Sequence, residues 1–221
     1  MAFPVRKQPE PTPKRGFRAD GWAGASSIMG GLLVVLWLVQ IINYSDHGRL
    51  TRFGLRPREV DGLTGIFTSP FLHANFGHVL ANSLPFVALG WIVLISGLRQ
   101  WLIATAIVIL FDGVFTWLVA PAGLIVGVSG LVFGWFGYLI ARAYFARKFA
   151  WIVIAIAVGA TFSSLFSGLV PGTTEVSWQS HIGGFLGGIV AGAVLHPRRR
   201  KSGKVNKPDK PRPAVPPTVV A

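Results

Sequence analysis

The stretch GWAGASSIMGGLLVVLWLVQIINYS, Gly21 to Ser45, carries no charge between Asp20 and Asp46. Crossing the hydrocarbon core of a bilayer takes about 20 such residues in a helix. Its small residues Ala23 to Ser27 precede the apolar run instead of following it, so the stretch reads as an uncleaved membrane helix over about 24–44. The rest of the chain has the same character. Of its 221 residues 52% are hydrophobic and only 13% charged, and the apolar residues come in blocks. That composition excludes an ordinary soluble domain. Further spans are expected at about 76–97 (with Pro85 as a tolerated kink), 101–119, 127–146, 149–169 and 179–196.

The net charge of +13 does not indicate nucleic acid, because the Lys and Arg residues lie in tails, loops and the ends of apolar blocks. With the N-terminus inside, 17 of the 21 cations fall on the inner side and four in the loop 47–74. The positive-inside bias therefore predicts six spans with both termini cytoplasmic. Residues 1–21 and 198–221 are expected to be disordered, basic, proline-containing tails around a core at 22–197. Within 47–74, no charge occurs from Gly62 to Leu72, yet Gly62, Gly65 and Pro70 prevent a clean spanning helix. This outer segment is either partly embedded in the membrane or an apolar surface loop. There is no cysteine, so disulfides, thiolate nucleophiles and cysteine metal sites are excluded.

In this topology spans two, four and six run from outside to inside, and their N-terminal ends share one depth. Those ends hold His78 and Asn82, Ser129, and His181. Polar and ionisable groups inside a membrane are costly and face a bundle interior or an aqueous cavity. Ser129 sits in GVSG at a helix start, where backbone N–H groups lack intrahelical partners and can receive a developing negative charge. By itself this motif fits small-residue helix packing better than catalysis, and partners elsewhere must decide. His78 and Asn82 are four apart and share a face. His181, Gly184 and Gly188 form one stripe, and Gly130, Gly134 and Gly137 another. Two glycine-faced helices approach closely, which would bring His181 to Ser129. Asp112, one turn before Thr116 in span three, is expected to bond Thr116 or a neighbouring helix. His47 and His196 have no evident role.

The set HANFGHVLAN (73–82), GVSG (127–130) and SHIGGFLGG (180–188) resembles the rhomboid intramembrane serine proteases over about 22–197. The resemblance implies an all-α, six-transmembrane-helix bundle whose Ser129 is the nucleophile and His181 its general base. It assigns the oxyanion hole to His78, Asn82 and the Ser129 backbone N–H, with His73, Gly127 and Phe133 as supporting residues. It also implies transmembrane protein substrates in the lipid bilayer, cleavage near the outer face, and no metal or organic cofactor. Six spans without a seventh resemble the bacterial cell-membrane form. Many members carry a Trp-Arg pair in the first outer loop, where this chain reads GLTGIFTSPFLH (62–73), and some have tyrosine where Phe133 stands. Ser180 replaces a common alanine, a change expected to matter little. The alternatives are a non-catalytic rhomboid-like protein that binds transmembrane helices and, less like the pattern, a transporter with a polar path through the bundle.

Overall fold

A computed structural model describes residues 21–170 and 177–196. The two tails lie outside the described residues. Six long helices make the frame: α1 (Trp22–Ser45), α3 (Phe76–Leu94), α4 (Leu98–Val119), α5 (Ser129–Ala146), α6 (Phe149–Thr161) and α7 (Trp178–Leu195). A single helical turn, α2 (Gly65–Thr68), lies between α1 and α3, flanked by 3-10 turns at Asp61–Thr64 and Ser69–Phe71. By length and hydropathy α1, α3 and α4 each suffice to cross a membrane, and α6 with its continuation makes a fourth if that bent pair is one span.

The centre of the bundle is α5. Of its 18 residues 13 are buried, which puts apolar and glycine faces in contact with protein all round. Trp135, Phe136, Tyr138 and Leu139 are fully enclosed. By contrast α1, α4 and α6 expose Leu38, Leu118 and Ile156 at their outer faces. In a bilayer such faces lose nothing, because lipid is as apolar as leucine.

Glycine decides how closely α5 and α7 approach. A methyl group added at Gly184 would overlap the Gly130 carbonyl, and one at Gly188 the Gly134 carbonyl. One at Gly137 would strike the Phe185 carbonyl. The two stripes thus meet backbone to backbone, as their spacing predicts.

The span expected at 149–169 differs from the structure in an informative way. The α-helix stops at Thr161, and the chain bends by 71° into a 3-10 turn over Ser163–Leu169. The local sequence Gly159-Ala160-Thr161-Phe162-Ser163-Ser164 is poor in strong helix formers after Ala160. Ser167 Oγ donates to the Ser164 carbonyl at 2.6 Å, a local bond that competes with helical continuation.

The connection 47–74 folds against the bundle. Leu55 and Ile125 form an antiparallel bridge, and a methyl at Gly113 of α4 would fall 2.5 Å from Ile66. At the other end of the bundle, Arg142 Nη1 donates to Gln100 Oε1 and to Tyr138 Oη, each at 3.2 Å. Its guanidinium lies 3.6 Å from the centre of the Trp151 ring. Tyr138 Oη also hydrogen-bonds His196 Nε2 at 3.0 Å, so His196 has a structural partner that its position in the sequence did not reveal.

Candidate active site

Ser129 is the first residue of α5. The turn leading into it requires glycine: Gly127 has φ +126°, and any Cβ there would meet the His78 ring at 2.8–2.9 Å. Two contacts hold this turn. Gly127 N–H donates to the Ser69 carbonyl at 2.9 Å, and Val128 N–H approaches His73 Nε2 at 3.5 Å. His73 is fully buried, and its ring stands edge-on to His78 with centroids 5.1 Å apart. Its carbonyl accepts from Asn43 Nδ2 of α1 at 3.5 Å. His73 therefore supports the entry to α5 from behind.

His181 lies in the first turn of α7, which Ser177 caps by accepting from the Ser180 N–H at 3.4 Å. Its Nε2 is 3.0 Å from Ser129 Oγ. Its Nδ1 is 2.8 Å from the Gly168 carbonyl oxygen. A carbonyl only accepts, so Nδ1 carries the proton and Nε2 presents its lone pair to the serine hydroxyl. That is the tautomer a general base needs. The Phe133 ring stacks on the imidazole at 4.0 Å between centroids and 13° between planes. Nδ1, one ring face and Nε2 of His181 are thus each held by a different group.

Gly168 was not singled out in the sequence. A backbone carbonyl carries no side-chain signature, and its position follows from the 71° bend after α6. Asp112 is not the group behind His181. Its Oδ1 accepts from Thr116 Oγ1 at 2.9 Å and its Oδ2 from Ser180 Oγ at 3.2 Å, so both expected kinds of partner are present. Ser180 accordingly does more than fill the place of an alanine.

Asn82 is 8% exposed, and its Nδ2 is a buried donor without a partner. An unsatisfied buried amide calls for an explanation, and a transient acceptor supplies one. His78 is half-buried beside Gly127, with no side-chain hydrogen bond among the described residues. The backbone N–H groups opening α5 add further donors at the same level. Among the described residues no three His, Asp or Glu side chains gather as a metal site would require.

A family model for the rhomboid domain matches residues 61–198. This chain belongs to the rhomboid family. The match spans His73, His78, Asn82, Ser129, Gly168 and His181, and leaves out Asn43 of α1. An uncharacterized protein of Mycobacterium tuberculosis is 34% identical over 208 residues, covering 90% of this chain and 86% of its own length. One from Mycobacterium leprae is 32% identical over 179 residues, covering 77% and 71%. RHOMBOID-like protein 1 of Arabidopsis thaliana is 30% identical over 165 residues, covering 66% of this chain and 38% of the plant protein. The rhomboid here is an integral membrane protein, as its apolar helices and family require.

Proposed function

We propose that this rhomboid is a working intramembrane serine endopeptidase, with Ser129 as nucleophile and His181 as general base. The observation that carries this reading is the 3.0 Å contact between Ser129 Oγ and a His181 whose tautomer is set by the Gly168 carbonyl. His181 accepts the hydroxyl proton as Ser129 Oγ attacks a peptide carbonyl. The tetrahedral oxyanion is stabilised by backbone N–H groups at the start of α5 and by Asn82 and His78. The intermediate then collapses, with the imidazolium proton passing to the leaving amine, and water hydrolyses the acyl-enzyme by the reverse path. Gly127 and His73 keep the nucleophile turn in place, and Phe133 keeps the imidazole in plane.

All six long helices span the bilayer in this reading, including the 18-residue α5 and α7, each about 27 Å long at about 1.5 Å per residue. Both termini are cytoplasmic, the membrane is the bacterial cell membrane, and the core runs over 22–197 between two basic tails. The substrates are transmembrane proteins cut near the outer face, where a substrate helix must unwind locally to offer a carbonyl. No cofactor takes part.

The test is labelling by a fluorophosphonate in detergent-solubilised protein. Wild type should become labelled, and Ser129→Ala and His181→Ala should not, while all three remain folded. A folded wild type inert to the probe would favour the non-catalytic, helix-binding alternative. Comparative proteomics of membranes containing wild type or Ser129→Ala would then identify substrates.

A further inference from the structure

The mechanism above leaves one buried acid unused, and its surroundings are specific. Asp112 lies where α4, α5 and α7 meet. A methyl group at Gly130 would overlap Asp112 Oδ2 and lie 2.6 Å from Ser180 Oγ. A methyl at Gly183 would lie 3.1 Å from Asp112 Oδ1. The carboxyl group is therefore packed against the residue that follows Ser129 and hydrogen-bonded to the residue that precedes His181. No Lys, Arg or His forms an ion pair with it among the described residues. Its two hydrogen bonds come from the hydroxyl groups of Thr116 and Ser180.

An acid without a cation inside a membrane bundle is costly, and such groups are retained for a task. Neither oxygen hydrogen-bonds Ser129 or His181; one is taken up by Thr116 and the other by Ser180. Stability of α4 alone would need only the bond to Thr116, one turn away on the same helix. The second bond, to Ser180 across 68 residues of sequence, ties α4 to the first turn of α7. The α5–α7 crossing itself is set by glycine contacts further down, at Gly184 and Gly188. Those contacts begin one turn after His181, with Gly184 against Gly130, and the Asp112–Ser180 bond holds the turn of α7 before them.

We infer that Asp112 is a positioning residue, which holds Ser180 and through it the first turn of α7 so that His181 Nε2 stays in line with Ser129 Oγ. This rests on the proposed protease reading. The geometry is demanding, since a misplacement of about 1 Å at a reacting pair can cost about 10²-fold in rate. Asp112 and Ser180 act as one unit, so their removal should not be additive.

The experiment measures the kinetics of fluorophosphonate labelling of the full chain in detergent, resolved into the maximal rate constant of inactivation and the probe concentration giving half of it. Asp112→Ala should lower the maximal rate constant about 10- to 100-fold with the half-saturating concentration unchanged. Ser180→Ala, which removes only one methyl-sized hydroxyl, should lower it about tenfold. The double variant should match Asp112→Ala within about twofold. Asp112→Asn can still accept from Thr116 through its carbonyl and donate to Ser180 through its amide, so it should recover to within about threefold of wild type. Thermal unfolding separates packing from positioning: a purely structural role would reduce the fraction that labels while leaving the rate constant of that fraction unchanged. Should Asp112→Ala fail to fold, Ser180→Ala and Asp112→Asn still decide. Wild-type rate constants in folded Ser180→Ala, or an Asp112→Asn as slow as the broken variants, would overturn the positioning role. A folded wild type that never labels would overturn the protease reading beneath it.

Discussion

At the scale of single residues, the arrangement around His181 divides labour among three kinds of contact. The Gly168 carbonyl selects the tautomer, Phe133 restricts ring rotation, and Ser129 donates its hydroxyl proton to the free nitrogen. In the proposed mechanism the carbonyl sets the tautomer and orientation of the imidazole, one part of what a carboxylate does in a Ser-His-Asp arrangement, without bringing a second charge into the bundle. Asn82 belongs, in the proposed mechanism, to a different part of the chemistry. Its unpaired Nδ2 is available to a charge that exists only in the transition state. Removing one such donor costs about 2.7–4 kcal/mol, so Asn82→Ala should slow turnover about 10²–10³-fold. Ser129 should still react with a fluorophosphonate in that variant. Equal loss of labelling in a well-folded Asn82→Ala and in Ser129→Ala would show that the assigned role is wrong. Phe133→Tyr keeps the aromatic face and should retain activity; a variant that folds but loses all labelling would argue against stacking as the function of this ring.

At the scale of elements, the crossing of α5 and α7 is the joint on which the site depends. Glycine carbonyls and glycine Cα atoms touch along it, leaving no room for a side chain. Gly188→Ala would place a methyl on the Gly134 carbonyl and 2.7 Å from Tyr138 N. Overpacking of this kind typically costs about 1–3 kcal/mol. The variant should melt earlier in detergent and, by parting the helices, label more slowly at Ser129. An unchanged melting temperature would mean that the helices separate freely, contrary to the close contact described. The bend after α6 is the second element-level device. It ends the helix at Thr161 and turns the chain so that Gly168 lies beside both Phe133 and His181. A straight helix through 149–169 would have carried that carbonyl away from the imidazole and kept it bonded within its own helix.

For the whole molecule, the proposed orientation rests on the distribution of charge. Four cations lie in the loop 47–74, and the remaining 17 lie in segments that one orientation gathers on a single side. A reporter fused after Ala221 should therefore be active only in the form that reads out the cytoplasm. Activity of an exported reporter at that position would reverse the orientation and move the proposed site to the inner face. The same bundle contains a polar cluster at each end. Ser129, His181, Asn82 and Asp112 belong to one, and Arg142, Tyr138, Gln100 and His196 to the other. Between them α5 is apolar or glycine, with Trp135 and Phe136 fully buried. This layering leaves no continuous polar path along α5, which counts against the transporter reading.

The sequence by itself determined the membrane class, the helical frame and the candidates for chemistry. Apolar blocks, cation placement and glycine periodicity are all written locally, because each reflects how one segment meets lipid or one neighbour. The pairing of α5 with α7 was legible for the same reason: a stripe of glycines only makes sense against a second backbone. The extent of α6 was not legible, since its apolar residues continue past Thr161 and only local hydroxyl groups and tertiary contacts stop the helix. Gly168 was invisible because a carbonyl is common to every residue, and what distinguishes this one is where the bend delivers it. The partner of Ser180 was not legible, because it is Asp112, 68 residues away. Likewise His196 acquired a partner only when α5 brought Tyr138 to the end of α7. Local pattern records the energetic demands of each helix on its surroundings, whereas the partner of a buried polar atom is selected only when helices distant in sequence are packed together.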